Sequence, residues 1–312
     1  MNRLSVKKRK GHKISKKYWP LYLMMLPGCL YLLINNYIPM AGIVIAFKKV
    51  NFSTGIFDSP FVGLENFKFL FQTKDAFVIT RNTILYNVAF IVVNMIVGIF
   101  LAILICEIQS KFAKKIYQSA VLVPFLMSMV ILSYIVYALF SSENGMVNNT
   151  IMPFLGKEPI SWYNEPKYWP AILIITNCWK GVGYGCLIYI STIIGIDKSY
   201  YEAAQLDGAS RWQLIRHITL PGLKTTVITL TLLSVGRIFY SDFGLFYQVP
   251  MNSGTILDTT NVIDTYVYRA LLQLGNVGMA SAAGVYQSLV GFVIVLLSNL
   301  VVKKMDADSA LF

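Results

Sequence analysis

Six segments of this chain are apolar over a length sufficient to cross a lipid bilayer, and no other feature constrains the fold as strongly. A transmembrane helix needs about 20 predominantly apolar residues, and its backbone polar groups must be paired within the helix. The composition agrees, since 56% of the residues are hydrophobic and 13% are charged. The sequence predicts an all-α polytopic membrane protein with transmembrane helices at 20–47, 82–106, 116–140, 168–196, 219–241 and 282–302.

The basic residues are unevenly distributed between the two sides of these predicted helices. Seventeen lysines and arginines fall in the two termini, in the connection at 107–115 and at residues 197–224, and eight fall in the three connections on the other side. Since basic residues concentrate on the cytoplasmic side of membrane proteins, we expect both termini in the cytoplasm. The net charge of +12 therefore indicates orientation against anionic lipid, and it does not favour nucleic-acid binding.

The apolar segments and their connections suggest four regions. The predicted boundaries are a basic cytoplasmic arm at 1–19, a first transmembrane helix and outer loop at 20–81, a membrane core at 82–304, and a cytoplasmic tail at 305–312. The four cysteines all lie in apolar segments without metal-ligand spacing, so we read them as packing residues and expect no metal site. Pro124 is expected to kink the third transmembrane helix.

One inner connection reads as a polar helical hairpin, predicted at 198–218. Its core is the stretch "YEAAQLDGASRWQLIRHITLPGL" at 201–223. The first helix is predicted to end at Asp207-Gly208, because glycine tolerates a left-handed cap. Ser210 and Gln213 form a capping-box pattern that starts a second helix running to about His217. Pro221 suits the first turn of the next transmembrane helix.

This hairpin resembles the signature loop of the membrane subunits of bacterial ATP-binding-cassette importers. The shared pattern is Glu-Ala-Ala, three residues, Gly, nine residues, Ile, one residue and Leu-Pro, and every fixed position is filled here. The resemblance implies a type I importer permease that docks this loop into a separate cytoplasmic ATPase. The residues expected to couple to that ATPase are Glu202, Ala203, Ala204, Asp207, Gly208, Arg211, Leu220 and Pro221.

Looser motifs resemble the sugar-transporting, maltose-type branch of the same family. They are "FVGLENF", "RNT" at 81–83, "VPFLMSMV" at 123–130 and "NGMVNN" at 144–149, while "GRIFYSDFGLFYQVP" at 236–250 is similar to a subgroup for oligosaccharides and polysaccharide fragments. The resemblance implies a bacterial plasma-membrane protein working with a second permease, two ATPase copies and an extracellular solute-binding lipoprotein. The expected substrate is an oligosaccharide.

The chain carries no phosphate-binding motif of its own, because no G-x-x-x-x-G-K-[ST] sequence is present. We therefore expect a transport subunit that is not an enzyme and has no cofactor, with ATP bound and hydrolysed by the partner subunits.

Two intramembrane cations, Lys180 and Arg237, suggest the position of the substrate path. Charged residues inside a membrane are costly and usually face a cavity or a partner, and aromatic faces with a few polar groups suit a sugar. The predicted path residues are Asn177, Trp179, Lys180, Tyr184, Arg237, Tyr240 and Asp242. If both cations face the cavity, an acidic oligosaccharide such as a uronate fragment becomes an attractive substrate.

Other interpretations remain open at this stage. Lys180 and Arg237 alternatively pair with acidic groups of the partner permease, and Tyr240 and Tyr247 are expected in a headgroup belt. Gly181 and Gly185 have the spacing of close helix packing. The alternative functions are an importer permease for a non-sugar solute and an ATP-independent channel or secondary carrier.

Overall fold

The structure is a computed structural model that describes residues 18–68 and 72–305, so most of the basic arm and of the C-terminal tail lie outside the described residues. The described part is helical, which confirms the all-α prediction. Four helical segments are long and apolar enough to cross a membrane. Two bent helix pairs raise the number of spans to six if each pair forms one span.

The first two spans differ in how they are packed. α1, Trp19–Phe47, contains a wide π-helical turn at Leu33–Tyr37 and a tight 3₁₀ end at Ala41–Phe47, through which it contacts the last helix. α2, Lys74–Glu107, begins eight residues before its predicted start. Thr73 caps it there by accepting a hydrogen bond from the backbone of Ala76, so the helix continues beyond the apolar run.

The third span is broken. α3, Lys111–Leu126, and α4, Met129–Phe140, meet at an angle of 96°. Pro124 is buried within α3, and the break itself follows at Met127 and Ser128, where Ser128 caps α4. The prediction of a kink near Pro124 is therefore correct in place, but the chain turns by about a right angle.

The connection between the third and fourth spans is made of short helical turns. Their bounds are Val147–Ile151, Met152–Phe154, Trp162–Asn164 and Pro166–Tyr168. Trp162 is buried and donates to Asn148 at 2.9 Å, and Trp169 is buried and donates to the carbonyl of Trp162 at 2.8 Å. These indoles belong to the largest buried hydrophobic cluster of the described residues.

The remaining elements begin with α5, Trp169–Ile194, which packs against both α2 and α3. α6, Lys198–Leu206, and α7, Arg211–Gly222, form the hairpin. α8, Lys224–Val235, follows α7 at an angle of 53°. The connection after α8 contains three short α-helices and one 3₁₀ turn. These are α9 at Phe243–Gln248, the 3₁₀ turn at Gly254–Ile256, α10 at Leu257–Thr260 and α11 at Ile263–Leu272. The last helix is α12, Val277–Met305.

The predicted end of the fifth span is wrong. The span was expected to run to residue 241, but regular helix stops at Val235, and the chain from Gly236 to Tyr240 forms tight turns. Beyond these turns, α11 packs on α12, and its residues Ile263 and Ala270 are fully buried.

Candidate functional site

The hairpin is held in shape by its own caps. Asp197 starts α6 by accepting a hydrogen bond from the Ser199 backbone at 2.9 Å. Gly208 has a φ of +80° and follows the end of α6, in the left-handed region that favours glycine. Ser210 and Gln213 form the predicted capping box, with the Ser210 N–H donating to Gln213 Oε1 at 2.7 Å. The hairpin geometry therefore follows from local sequence.

The second helix of the hairpin runs further than predicted. It does not stop near His217 but continues through a π-helical turn at Ile215–Thr219 to Gly222. Pro221 lies inside this helix, and the widened turn before it accommodates a residue that lacks a backbone N–H. The bend to α8 comes at Leu223, which is buried.

The tip of the hairpin exposes charged and apolar side chains together. Four charged residues at the tip are exposed, namely Glu202, Asp207, Arg211 and Arg216. Ala203 and Gly208 are also exposed, and their small size leaves room for a partner to approach closely. Leu206 is 89% exposed and Trp212 is 65% exposed, although both are large apolar residues. Exposed apolar area bordered by charged groups is typical of protein–protein contact sites, so the tip has the character of a contact surface. The sequence reasoning missed Leu206 and Trp212.

Two contacts join the hairpin to the rest of the bundle, and a third joins its two helices. Arg211 Nη1 lies 3.5 Å from Glu107 Oε2, at the C-terminal end of α2. The hydroxyl groups of Tyr201 and Thr219 are 3.0 Å apart and link the two helices of the hairpin. A Cβ at Gly222 would collide with the Ile196 side chain, which shows how closely α7 approaches the end of α5.

A cavity of about 620 Å³ opens between α2, α5 and the last turns of α8. Four of the predicted path residues line it, namely Asn177, Tyr184, Arg237 and Tyr240. Tyr240 therefore belongs to the cavity wall, although its position suggested a headgroup belt. The other lining residues are Asn87, Phe90, Ile91, Asn94, Met95, Gly181, Val182, Gly185, Ile188, Tyr189, Leu230, Thr231, Leu233 and Ser234.

The polar groups of the cavity are few and lie on opposite walls. Asn94 of α2 donates to Asn177 Oδ1 of α5 at 2.9 Å, and the Asn94 Oδ1 atom is buried without a partner in the described structure. Arg237 is exposed at the other wall, and its guanidinium forms no hydrogen bond or ion pair with any residue that the structure describes. No carboxylate lines the cavity. The site offers amide oxygens, hydroxyls and one unpaired cation.

The other three predicted path residues lie outside this cavity. Trp179 is 44% exposed on another face of α5. Asp242 caps α9 by accepting a hydrogen bond from the Leu245 backbone at 3.2 Å, so its carboxylate has a structural partner. Lys180 points toward the break in the third span, where its ammonium donates to the carbonyls of Phe125 and Met127.

The glycines of α5 also differ from expectation. Gly181 and Gly185 line the cavity, and a Cβ at Gly185 would meet nothing within 4 Å. The close helix contact is at Gly183, where a Cβ would lie 2.8 Å from the carbonyl carbon of Val121. Packing is thus the role of the middle glycine, because only that face of α5 meets α3.

Three residues that the sequence reasoning missed contribute to the site, two in the cavity lining and one behind it. Asn87 and Asn94 are seven residues apart in an apolar helix, a spacing that puts both on one face and was readable in the sequence. Asp264 could not be found in that way, because its partners lie 23 residues away in sequence. It accepts hydrogen bonds from the Ser241 backbone at 2.8 Å and from Gln287 at 3.2 Å, which fixes the turn that carries Arg237 and Tyr240.

The pKa values of two carboxyl groups outside the spans are shifted by their surroundings. Burial raises the pKa of the Asp264 carboxyl, and the hydrogen bonds from Ser241 and Gln287 oppose that effect. The Ser199 backbone and hydroxyl lower the pKa of Asp197 by hydrogen bonding to its carboxylate. Within the described residues, no group of three or more His, Cys, Asp or Glu side chains is arranged to hold a metal ion.

Comparison with known proteins extends over nearly the whole chain. Residues 94–307 match the family described as "Binding-protein-dependent transport system inner membrane component". The chain is 34% identical to the polygalacturonan/rhamnogalacturonan transport system permease protein YteP of Bacillus subtilis (strain 168), over 95% of this chain and 90% of that protein. It is 31% identical to the protein LplB of the same organism, over 92% and 90%.

The fold is likewise similar to solved structures. A chain of a bacterial ABC transporter involved in the import of the acidic polysaccharide alginate superposes with a TM-score of 0.85 at 33% identity, over 93% of this chain and 97% of that chain. The alginate ABC transporter in complex with an alginate pentasaccharide-bound periplasmic protein gives a TM-score of 0.84 at 32% identity, over 93% and 96%.

Proposed function

The chain belongs to the binding-protein-dependent transport system inner membrane components, and from this premise we propose that it forms half of the pathway of an ATP-driven importer for an acidic oligosaccharide. The family is one of multi-pass membrane transport subunits. To the family membership, the proposal adds a class of substrate, a surface that couples the chain to an ATPase, and an orientation of the chain in the membrane.

The observation that carries the proposal is that all three walls of the cavity meet at the hairpin. α8 continues into α7 through the bend at Leu223. α5 ends at Ile194, and Asp197 caps α6 directly afterwards. α2 ends at Glu107, whose carboxylate faces Arg211. A displacement of the hairpin is therefore transmitted to every wall of the cavity.

The hairpin tip is suited to receive that displacement from an ATPase subunit. Glu202 provides an exposed carboxylate for a basic groove, and Leu206 and Trp212 provide apolar area whose burial stabilises a complex. The caps at Asp197, Gly208 and Ser210 make the hairpin stiff, so that it moves as one body. In this proposal the partner ATPases bind and hydrolyse ATP, and this chain needs no cofactor.

The charge of the cavity supports an anionic cargo. Arg237 is the one charged side chain among the lining residues, and it has no carboxylate partner in the described structure. A guanidinium without a partner pairs well with a carboxylate in bidentate geometry. Relatives of this chain are named for polygalacturonan and for alginate, which are uronate polymers. We therefore assign an acidic oligosaccharide to this cavity, with its hydroxyl groups on Asn94 and Asn177.

The complete importer in this proposal contains a second, different permease, two ATPase copies and an extracellular solute-binding lipoprotein. The hairpin and both termini face the cytoplasm, as the excess of basic residues on that side indicates. The binding protein delivers the oligosaccharide to the opposite face.

The test is purification of the tagged chain in a mild detergent, with mass spectrometry of the proteins that accompany it. We expect an ATPase and a second permease with the native chain, and loss of the ATPase alone in Glu202→Lys. Glu158→Lys is the matched control, since Glu158 is an equally exposed glutamate in an outer connection. Absence of an ATPase from the native sample, even after crosslinking, contradicts the proposal.

A further inference from the structure

The break in the third span leaves backbone carbonyls without helical partners inside the membrane. α3 ends at Leu126 and α4 begins at Met129 at an angle of 96°, so the last carbonyls of α3 cannot be reached by the N–H groups of the next turn. Unsatisfied backbone groups at membrane depth are costly and need another donor. In this structure the donor is a lysine from a different helix.

Lys180 of α5 supplies that donor. Its Nζ lies 3.1 Å from the Phe125 carbonyl oxygen and 2.6 Å from the Met127 carbonyl oxygen, on the two sides of the end of α3. The same ammonium is 5.9 Å from the centre of the Phe125 ring, within range of a cation–π interaction. Among the residues that the structure describes, no carboxylate forms an ion pair with Lys180.

The carbonyls held by Lys180 lie directly behind the cavity wall. The Phe125 ring stacks on the ring of Tyr184, with centres 5.3 Å apart and planes 19° apart, and Tyr184 lines the cavity. On the far side of the break, Met129 lies so close to Gly244 of α9 that a Cβ there would be 2.7 Å from Met129 Cγ. The geometry of the bend therefore determines where the Phe125 ring lies against Tyr184 and where Met129 packs against α9.

We propose that Lys180 is a positioning residue that holds the bend of the third span and thereby fixes Tyr184 in the wall of the substrate cavity. The ammonium replaces the amide hydrogens that the broken helix lacks, and it can do so because a lysine has three donors and a long flexible stem. This role differs from contact with the cargo, which belongs to Arg237. Only the transport readout of this inference rests on the proposed function.

The experiment measures the bend and transport in the same variants. Spin labels replace Phe112 and Tyr134, two exposed residues on α3 and α4, in a background in which the four cysteines are alanine. A straight helix between these positions would span about 33 Å, and the bend makes the distance shorter. Lys180→Met is expected to broaden the distance distribution toward longer values, and Lys180→Arg, which keeps the donors, is expected to restore it.

Transport measures the effect of the bend on the cavity. With oligogalacturonate as the probe, Lys180→Met is expected to raise the half-saturation concentration about tenfold and to change the maximal rate less than about twofold, because the lost charged hydrogen bond no longer holds the Phe125 ring that backs Tyr184. Lys167→Met, at the exposed outer end of the same helical segment, is the control and should change neither quantity. If Lys180→Met does not accumulate, Lys180→Leu, which likewise lacks a donor, takes its place.

The outcomes are distinct. A native distance distribution in Lys180→Met or Lys180→Leu overturns the proposal, whatever happens to transport. Native distances with reduced transport assign Lys180 to the cargo instead. The distance measurement needs neither substrate nor ATPase, so it remains readable if the proposed function is wrong.

Discussion

Gly183 of α5 lies directly against the backbone of Val121 in α3, so closely that a Cβ at position 183 would lie 2.8 Å from the Val121 carbonyl carbon. The contact is between backbone atoms of the two helices, so no flexible side chain can move to relieve it. This contact fixes the distance between the two helices just before the third span breaks.

The contact predicts that Gly183→Ala destabilises the protein by about 1–3 kcal/mol, because overpacking must push two helices apart. Gly185→Ala is the matched control two residues along the same helix, where a Cβ meets nothing within 4 Å. It should be neutral or slightly stabilising, since alanine favours helix. Thermal unfolding in detergent measures both variants, and equal midpoints would contradict the packing role of Gly183.

Gly208 is predicted to be required for the hairpin shape rather than for contact with a partner. Its φ of +80° costs a residue with a Cβ about 1–2 kcal/mol. Gly208→Ala should accelerate amide hydrogen exchange across α6 and α7 and weaken retention of the ATPase. Gly254→Ala, at an open position without a positive φ, should do neither. Unchanged exchange in Gly208→Ala would show that the cap is dispensable.

Arg237 is predicted to select the charge of the cargo. Arg237→Gln should raise the half-saturation concentration for an oligogalacturonate about tenfold to a hundredfold, because a charged hydrogen bond to a carboxylate is removed. Uptake of a neutral oligosaccharide of the same length, measured in parallel, should be the same in variant and wild type. An equal loss for both sugars would assign Arg237 to structure and would remove the support for an acidic substrate.

The cap of α6 is predicted to weaken in acid. The Ser199 backbone and hydroxyl hold the pKa of Asp197 below its ordinary value of 3.8, so the carboxylate stabilises the folded hairpin above that value. This contribution is lost as the pH falls through the lower, folded-state pKa. Amide exchange of α6 should therefore rise in acid relative to Asp197→Asn, whose neutral side chain still caps the helix. Parallel pH profiles for the two proteins would contradict the prediction.

The elements that depend on local chemistry were predicted well. The apolar segments, the capping box of Ser210 and Gln213, and the glycine at position 208 are properties of short stretches of chain, and the structure contains each of them. The coupling residues follow from the same stretch by resemblance. Their contact with an ATPase stays a prediction.

The substrate path could be predicted only in part. Asn177, Gly181 and Tyr184 recur at helical spacing on α5, so one face of that helix was readable. Lys180 falls between them in sequence but lies on the face that meets α3. The residues next to it in sequence do not indicate that this face contacts the break in the third span. The partners of Asp264 were hidden for the same reason, because they lie 23 residues away in sequence. Asp242 caps α9 through Leu245, which is three residues along the chain, and this local role was missed.

The sequence by itself determined the class of the protein, the number and order of its apolar segments, and the polar hairpin between the fourth and fifth, because hydrophobicity and capping act over a few residues. Only the tertiary structure decided that the third span turns through 96°, that Lys180 satisfies the carbonyls of that turn, and that Arg237 is left facing the cavity without a partner. The physical reason is that a buried polar group must find a partner in space, and the sequence does not state which distant residue will supply it.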